Sequence, residues 1–312
     1  MKKYLLFYAG YNNKTEKEQI GVATSSDFNN WNWEGDSPKI PLKSQGFADE
    51  TQTSNPCVLK HDGIYKMWYQ GKSKEGLLSV CYAESKDGLD WKVHDKPVIS
   101  QRISGTPEFR EGIQHPHVIF DTNKNRFVMW CVVYKNNKTT IGYCESVNGL
   151  IWTDIISTNL ESIDLNHKYF YPFVLFENNS YRLWITERIG DKWMISTANS
   201  KDGIDWIKHE HNPIISIYKN KFIAIFFEVI AKLTKYSFGL AIYGLGSCYI
   251  WREEGKYKLI GHAVGPRGKL FIPLFESLDG LVWNKVRNNI LLKPTTSWNE
   301  FFQADPYLYV EE

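Results

Sequence analysis

Apolar and polar positions along the chain form short runs that alternate with turns. The pattern is clearest in three stretches: NPCVLKHDGIYKMWYQG (55–71), HPHVIFDTNKNRFVMWCVV (115–133) and YPFVLFENNSYRLWITE (171–187). In each stretch a Pro opens an apolar run, a polar turn follows, and a second run is rich in aromatic residues. Runs this short, rich in β-branched and aromatic residues and bounded by turn residues, predict β-strands.

A seven-residue motif follows a third apolar run and occurs five times along the chain. Its copies are SSDFNNW (25–31), SKDGLDW (85–91), SVNGLIW (146–152), SKDGIDW (200–206) and SLDGLVW (277–283). The tryptophans of successive copies are 60, 61, 54 and 77 residues apart. Units of this length, with three or four antiparallel strands each, are typical of the blades of a β-propeller. Because the motif recurs once per unit as a D-G type turn, we interpret it as scaffold.

The two ends of the chain complement each other. Residues 304–310, ADPYLYV, match the first strand of a repeat, whereas the first repeat begins at KYLLFYAG (3–10) and lacks that strand. Joined together, the two segments make one complete repeat. The sequence therefore predicts an all-β, five-bladed β-propeller as a single domain over residues 1–312, in which the C-terminal strand closes blade one.

An insertion in the fifth repeat explains the longest spacing. Residues 217–244 break the strand pattern, and residues 219–236 have apolar side chains at three- and four-residue spacing, which predicts a helix. Two interpretations remain open. The helix packs against the propeller or against a second copy in a homo-oligomer, or its lysines form a basic amphipathic surface in peripheral contact with a membrane.

Composition and charge narrow the class of protein. A formal net charge of +2 argues against a dedicated nucleic-acid binder, which would show a concentrated basic patch. The five cysteines have no C-x-x-C spacing, and four lie in apolar or aromatic runs, so we expect buried free thiols in a reducing compartment. No stretch has the length of a membrane span, and we recognise no signal peptide. We expect a cytoplasmic protein with no cofactor, and no ligand cluster demands a metal.

Candidate functional residues are those at which equivalent positions of the repeats differ. The residue before the opening Pro is Asp305 in the first repeat, Asn55 in the second, His115 in the third and Tyr171 in the fourth. In the fifth repeat, the segment 246–248 takes this place. The first strands of a propeller surround its central channel, so these positions predict a ring of unlike polar groups around one funnel.

Several carboxylates lie near this ring in the sequence. Glu50 and Glu111 precede the Pro of their repeats by six and five residues, and Glu187 ends a strand in the fourth repeat, as Gln70 does in the second. Glycosidic hydrolysis requires two carboxyl groups, one protonated and one ionised. Each of these residues also fits a structural role, as a turn cap or a solvent-facing charge.

The repeats resemble the five-bladed β-propeller glycosidases, the superfamily of arabinanases, β-xylosidases, invertases and levansucrases, similar to glycoside hydrolase families 43 and 32. The resemblance covers essentially the whole chain and is strongest in GIYKMWYQG, SKDGLDW and ADPYLYV. It implies that Asp305, in its D-P context, is the general base or nucleophile. A rival resemblance to sialidases is weaker, because their motif is one residue longer and they need six blades and three arginines.

The chain departs from the family pattern on the later blades. His115 stands where the family has an Asp that modulates the pKa of the acid, and Tyr171 stands where a Glu acid is expected. The invertase pattern W-M-N-D-P-N-G is also absent near the N-terminus. The general acid is therefore assigned to Glu111, Glu187 or His115, or has been lost.

The leading hypothesis is a glycoside hydrolase-like enzyme that acts on an oligosaccharide, an activated sugar or a polysaccharide intermediate. Asp305 is its base or nucleophile, and Glu111 or Glu187 is its acid. The sugar is held by polar residues and by a stacking tryptophan: Asn55, His115, Tyr171, Glu50, Gln70, Trp130 and Trp184. The alternatives are a sugar-transferring or glycan-binding propeller, as in surface-polysaccharide biosynthesis, and an interaction scaffold whose channel is plugged by side chains.

Overall fold

The computed structural model describes residues 2–12, 15–44, 46–100, 112–135, 137–190, 192–216, 244–264, 270–287, 290, 298 and 302–311. These residues form β-strands and no α-helix, so the predicted all-β class is confirmed for the described part of the chain. The first three repeats contain β1 (Lys3–Asn12), β2 (Lys17–Ser25), β3 (Asn32–Trp33), β4 (Gln52–His61), β5 (Ile64–Lys72), β6 (Leu78–Ser85), β7 (Trp91–Val93), β8 (Ile99–Ser100), β9 (Ile113–Asp121), β10 (Arg126–Lys135), β11 (Lys138–Ser146) and β12 (Ile156–Glu161). The remaining strands are β13 (His167–Glu177), β14 (Ser180–Ile189), β15 (Lys192–Ser200), β16 (Ile207–Lys208), β17 (Ile215–Ser216), β18 (Gly244–Glu253), β19 (Lys256–Val264), β20 (Leu270–Phe271), β21 (Leu274–Ser277), β22 (Asn284–Arg287) and β23 (Phe302–Glu311).

Strands within each repeat pair antiparallel with their neighbours in the chain. The second repeat runs β4-β5-β6-β7, the third β9-β10-β11-β12, the fourth β13-β14-β15-β16 and the fifth β18-β19-β21-β22. The first repeat has the order β23-β1-β2, because the last strand of the chain pairs antiparallel with the first, with Leu308 opposite Leu6. Both chain ends therefore contribute to one sheet.

The first strands of the five repeats contact one another in sequence. β4 contacts β9, β9 contacts β13, β13 contacts β18, β18 contacts β23, and β23 contacts β4. The sheets bury their apolar side chains between adjacent repeats, and the largest fully buried rings include Trp68, Trp130 and Trp184. The site described below lies at one end of these first strands.

The repeated seven-residue motif forms the same turn in each repeat. In the second repeat the Ser85 hydroxyl accepts a hydrogen bond from the backbone N–H of Gly88 at 2.9 Å, and Asp87 accepts from two further N–H groups at 2.8 and 2.9 Å. These bonds stabilise the ionised carboxylate, so they hold the pKa of Asp87 at about 2.

A tryptophan of the preceding repeat fastens each of three turns. Trp68, Trp130 and Trp184 donate hydrogen bonds from Nε1 to the carbonyls of Gly149, Gly203 and Gly280, at 2.8, 2.8 and 3.2 Å. The motif is thus a contact between neighbouring repeats, which agrees with its interpretation as scaffold.

Two sequence predictions lie outside the described residues. Almost all of the insertion at 217–244, including the predicted helix at 219–236 and its proposed membrane contact, belongs to the part of the chain that the structure does not describe. Glu111 lies there as well. Among the described residues, no helix has the length and apolar character needed to cross a membrane.

Candidate functional site

The first strand of every repeat carries a β-bulge at the same place. In four repeats the strained residue is the one before the Pro, and in the fifth it is Ser247, the residue before Cys248. The pairing register shifts at this place in all five strands. The φ angles are 51° for Asn55, 52° for His115, 50° for Tyr171, 51° for Ser247 and 49° for Asp305. Positive φ is costly for residues other than Gly, and such strain clusters at functional sites. The bulges turn these five side chains toward one point.

The five strained residues line a common recess. Its walls are completed by the residues that follow them, including Pro56, Pro116, Pro172, Cys248 and Pro306. The recess has a volume of about 40 Å³, which accommodates a few water-sized groups. The structure thus brings together Asp305, Asn55, His115 and Tyr171, which lie far apart in the sequence. The lining of the recess offers polar groups from all five repeats to a ligand.

Asp305 lies in the recess beside a histidine that the sequence analysis did not identify. The Asp305 side chain is buried, and its Oδ1 lies 3.1 Å from Nδ1 of His262. His262 stands opposite Gly246 in β19, the register position that Gln70 occupies opposite Ser54 in β5. Comparison of second strands across the repeats would have found it. His262 holds the Asp305 carboxylate in position.

The charge of Asp305 acts on a second carboxyl group, Glu18 on β2. Glu18 is partly buried, and its Oε2 accepts a hydrogen bond of 2.5 Å from Nε2 of Gln52. Burial, followed by the charge on Asp305, raises the pKa of Glu18 to about 8, although Gln52 and Lys72 oppose the shift. Glu18 therefore retains its proton at neutral pH. Glu18 belongs to no sequence motif, and only its electrostatic interaction with Asp305 in the folded chain reveals it.

Hydrogen bonds connect Glu18 to the recess through a serine. Gln52 also donates to the Ser54 hydroxyl at 3.1 Å, and Ser54 accepts a further bond of 3.1 Å from Asn55 Nδ2. Gln70 donates to the same hydroxyl at 3.4 Å and accepts from the His115 backbone N–H at 3.4 Å. Gln70 therefore lies behind the recess and orients its wall.

Two buried polar atoms of the recess have no partner within the described residues. They are Oδ1 of Asn55 and Nδ1 of His115. Burial, only partly offset by the charge of Asp305, lowers the pKa of His115 to about 4, so its imidazole is neutral at neutral pH. An unpaired buried polar group costs roughly 1–3 kcal/mol, which a bound hydroxyl would relieve. The site therefore presents two unused hydrogen-bonding groups to a ligand.

Glu187 takes part in a different cluster, away from the residues that line the recess. Its Oε1 lies 2.7 Å from His167 Nε2 and 3.4 Å from Lys208 Nζ, and its Oε2 accepts a bond of 2.6 Å from Ser196. Although burial opposes ionisation, the bonds from His167 and Ser196 lower the pKa of Glu187 to about 2. This carboxylate is ionised at neutral pH, and its partners occupy both oxygens.

The other predicted residues lie away from the recess. Glu50 is on the loop before β4, where its Oε2 accepts a hydrogen bond of 3.1 Å from the Gly46 N–H. Trp130 and Trp184 are both 0% exposed. The prediction that one of them stacks on a sugar needs correction, because each indole is used in the contact between repeats.

Among the described residues, no three His, Cys, Asp or Glu side chains form a metal-binding group.

Together, the fold and the site define a β-propeller of the glycoside hydrolase type. Residues 1–171 match the family model for the "Glycosyl hydrolases family 32 N-terminal domain". Because the match covers more than half of the chain, the protein belongs to this family. The resemblance to the propeller glycosidases is thereby confirmed.

The chain also matches two curated relatives over about half of its length. The chain is 29% identical over 163 residues to uncharacterized proteins from two strains of Mycobacterium tuberculosis, a match to 48% of this chain and 50% of theirs. It thus spans about half the length of the curated relatives that it matches.

Three solved structures share the fold at low sequence identity. A thermostable family-43 glycoside hydrolase has a TM-score of 0.66 at 18% identity, covering 94% of this chain and 91% of that one. Fructan 1-exohydrolase IIa from Cichorium intybus has a TM-score of 0.62 at 14% identity, covering 91% and 56%. An exo-1,5-alpha-L-arabinanase from a bovine ruminal metagenomic library has a TM-score of 0.61 at 15% identity, covering 91% and 93%.

Proposed function

We propose that this protein is a glycosidase-type enzyme that cleaves a glycosidic bond at the recess, with Asp305 and Glu18 as its two carboxyl groups. One observation carries the proposal: Asp305 is buried in the recess, and its charge, together with burial, keeps Glu18 protonated. Glycosidic hydrolysis requires one carboxyl group that holds a proton, and the raised pKa of Glu18 gives it that role.

In the proposed reaction, Glu18 transfers its proton to the leaving oxygen as the bond from that oxygen to the anomeric carbon breaks. The Asp305 carboxylate either attacks the anomeric carbon or removes a proton from the attacking water, the two routes of retaining and inverting enzymes. His262 keeps the Asp305 oxygens oriented from 3.1 Å. Asn55 and the neutral His115 bind hydroxyl groups of the sugar through Oδ1 and Nδ1.

This assignment replaces Glu187 as the proposed acid. A general acid must hold a proton at working pH, whereas the bonds from His167 and Ser196 keep Glu187 ionised. His115 is unsuited as a proton donor for the same reason, because its lowered pKa leaves it neutral. Among the described carboxyl groups, Glu18 is the one whose pKa the charge of Asp305 helps to raise.

The proposal includes the architecture predicted from the repeats, namely five blades in one domain over residues 1–312, closed by the C-terminal strand. The circle of contacts among the five first strands supports it. The pairing of β23 with β1 and the five equivalent bulges support it as well. A ring of five blades places one strained residue from each blade around a common axis.

We propose a carbohydrate ligand, on the basis of family membership and the polar recess. Fold neighbours named as a glycoside hydrolase, an arabinanase and a fructan 1-exohydrolase support a sugar substrate. The five cysteines are buried and free, which supports a reducing, cytoplasmic setting. An oligosaccharide or a polysaccharide intermediate remains the proposed substrate class.

Aryl glycosides together with fructo- and arabino-oligosaccharides of two or three residues test the proposal on wild type and variants. We expect turnover by wild type and a loss of about 10²–10⁴-fold in kcat for Asp305→Asn and for Glu18→Gln. Glu84→Gln, on the third strand of the second repeat, is the matched carboxylate control and should retain activity. Circular dichroism checks the fold of each variant. Full activity in a folded Asp305→Asn variant would refute the proposal.

A further inference from the structure

A row of aromatic rings leads from the recess to the rim of the fourth repeat. The ring centroids of His115 and Tyr171 lie 4.0 Å apart, and those of His115 and Phe170 lie 5.9 Å apart. Phe170 then stacks on Trp193 at 5.2 Å, with 24° between the planes. Phe170 and Trp193 are both partly exposed, in contrast to the fully buried Trp130 and Trp184. The row thus ends in rings that a ligand can reach.

Two neighbours hold the Trp193 ring in place. The Arg188 guanidinium lies 5.7 Å from the ring centroid, a cation–π contact from the adjacent strand β14. On another side, a Cβ added at Gly244 would lie 3.3 Å from Cβ of Trp193, so a residue without a side chain permits close packing there. A ring with few accessible rotamers loses little conformational entropy when a ligand stacks on it.

Trp193 in the fourth repeat and Glu18 in the first repeat occupy equivalent register positions in their sheets. Glu18 pairs with Tyr11, which pairs with Phe302, three residues before Asp305. Trp193 pairs with Arg188, which pairs with Lys168, three residues before Tyr171. Because Asp305 and Tyr171 are equivalent bulge residues, this shared register puts Trp193 level with the proposed proton donor and above the floor of the recess.

We propose that Trp193, backed by Phe170, is a stacking platform for a second sugar ring, and that the ligand is a neutral glycan of at least two residues. The rings run without a break from His115 in the recess through Phe170 to Trp193, so a glycan whose first residue lies at the recess can continue onto this rim. Sugar rings have a face of C–H groups, and such a face packs favourably on an aromatic ring.

The inference rests on the proposed function only in taking the recess as the position of the first sugar. Binding energy from the second ring, which is remote from the reacting bond, can then be used to position that bond. Removal of Trp193 should therefore weaken two-residue ligands and leave one-residue ligands almost unaffected.

Calorimetry in the Asp305→Asn background, which should not hydrolyse the probes, measures this difference directly with fructose, arabinose and their oligosaccharides of two and three residues. With Trp193 intact, we expect the two-residue member of one series to bind at least tenfold more tightly than its one-residue member. Trp193→Ala should remove about tenfold of the affinity for the longer probes, the scale of one aromatic contact. Trp193→Phe, which keeps a ring, should restore most of it.

The control is Trp91→Phe, which alters a partly buried tryptophan on the outer edge of the second repeat. It should leave both affinities and the ligand-induced change in tryptophan fluorescence intact, whereas Trp193→Phe should diminish that change. Two results would overturn the inference: equal loss of one- and two-residue binding in Trp193→Ala, or no binding of any longer probe when Trp193 is intact. Turnover is not needed for this test, so length-dependent binding without hydrolysis would refute the proposed function alone.

Discussion

At the residue scale, the two carboxyl groups Glu18 and Glu187 differ because of their surroundings. Glu18 is partly buried beside a second negative charge, whereas Glu187 is surrounded by His167, Ser196 and Lys208. The first environment stabilises the protonated form and the second the ionised form. Identical side chains thus acquire opposite chemical abilities, and the predictions at this scale depend on that difference.

The first prediction concerns the pH dependence of activity. Glu18 donates a proton, so kcat/KM should fall about tenfold per pH unit above its raised pKa of about 8. Steady-state kinetics between pH 5 and 10 would reveal this limb. Residual activity in Glu18→Gln should lack it, whereas a limb that persists in this variant would assign the titration to another group.

The same shift predicts how Glu18 affects stability. Because the folded state raises the pKa of Glu18 above its usual 4.5, ionisation of Glu18 is harder in the folded state than in the unfolded chain. Its contribution is therefore most favourable below about pH 4.5 and is lost as the pH rises toward 8. Glu18→Gln should remove this dependence, as urea unfolding at several pH values would show. An unchanged profile would contradict the pKa assignment.

A further prediction concerns Glu187. Removing one partner of a buried ion pair costs about 3–5 kcal/mol, so Glu187→Gln should lower the free energy of unfolding by about 3 kcal/mol at pH 7. The pKa of Glu187 is lowered in the folded state, so this contribution is present above about pH 4.5 and disappears as the pH falls toward 2. Denaturant titrations of wild type and Glu187→Gln measure this loss of unfolding free energy at pH 7 and at pH 3, and we expect a smaller loss at pH 3. An equal loss at the two pH values would contradict the lowered pKa of Glu187.

At the element scale, the seven-residue turn joins neighbouring repeats because its residues have two roles. Ser and Asp satisfy the N–H groups of the turn, and the fourth residue adopts positive φ while its carbonyl accepts from a neighbouring tryptophan. The first copy departs from this arrangement, with Phe28 at φ 61° in place of Gly. Phe28 packs edge-on against Trp31, with ring centroids 5.5 Å apart, and this packing offsets the strain.

Gly149, the glycine of the third copy, allows a test of the contact between the turn and the tryptophan of the preceding repeat. Gly149 has φ +79°, and a Cβ there would lie 2.7 Å from the Trp68 ring, so Gly149→Ala adds a clash to backbone strain. We expect a loss of about 3 kcal/mol, roughly one from the positive φ and two from overpacking. Gly76→Ala, with φ +82° and no atom within 4 Å, should lose only about 1 kcal/mol. Chemical denaturation compares the two, and equal losses would show that the ring contact contributes nothing.

At the scale of the whole molecule, the pairing of the chain ends connects the first and fifth repeats. Leu308 on β23 is 0% exposed in the core between these repeats, together with Leu6 and Trp251. The N-terminal end adds an ion pair of 2.7 Å between Lys2 and Glu253 of the fifth repeat. The stability of all repeats should therefore depend on β23.

Leu308→Ala tests this dependence. The cavity should cost about 3 kcal/mol, and unfolding should remain one transition because no repeat is stable without its neighbours. Glu311→Gln removes the charge from a partly exposed ion pair with Lys60 but keeps an oxygen that can accept from the Tyr65 hydroxyl, so it should cost less than about 1 kcal/mol. Unfolding monitored by tryptophan fluorescence and by circular dichroism should coincide. Two separate transitions would show that the chain ends are not joined cooperatively.

The sequence alone determined the all-β class, the repeats and their boundaries, because strand periodicity and turn chemistry are local properties. Once the repeats were aligned, it also identified Asp305, Asn55, His115 and Tyr171, since residues at one register position of a repeating fold converge in space. Its resemblance to the propeller glycosidases agrees with the family match over residues 1–171.

Only the tertiary structure decided which carboxyl group accompanies Asp305 and which aromatic rings are accessible. Glu18 lies 287 residues from Asp305 in the chain and comes near it because the last strand pairs with the first. The raised pKa of Glu18, the ionised state of Glu187, the burial of Trp130 and the exposure of Trp193 depend on neighbours from distant segments. Burial and charge proximity are properties of the folded chain, so no local pattern of residues could have specified them.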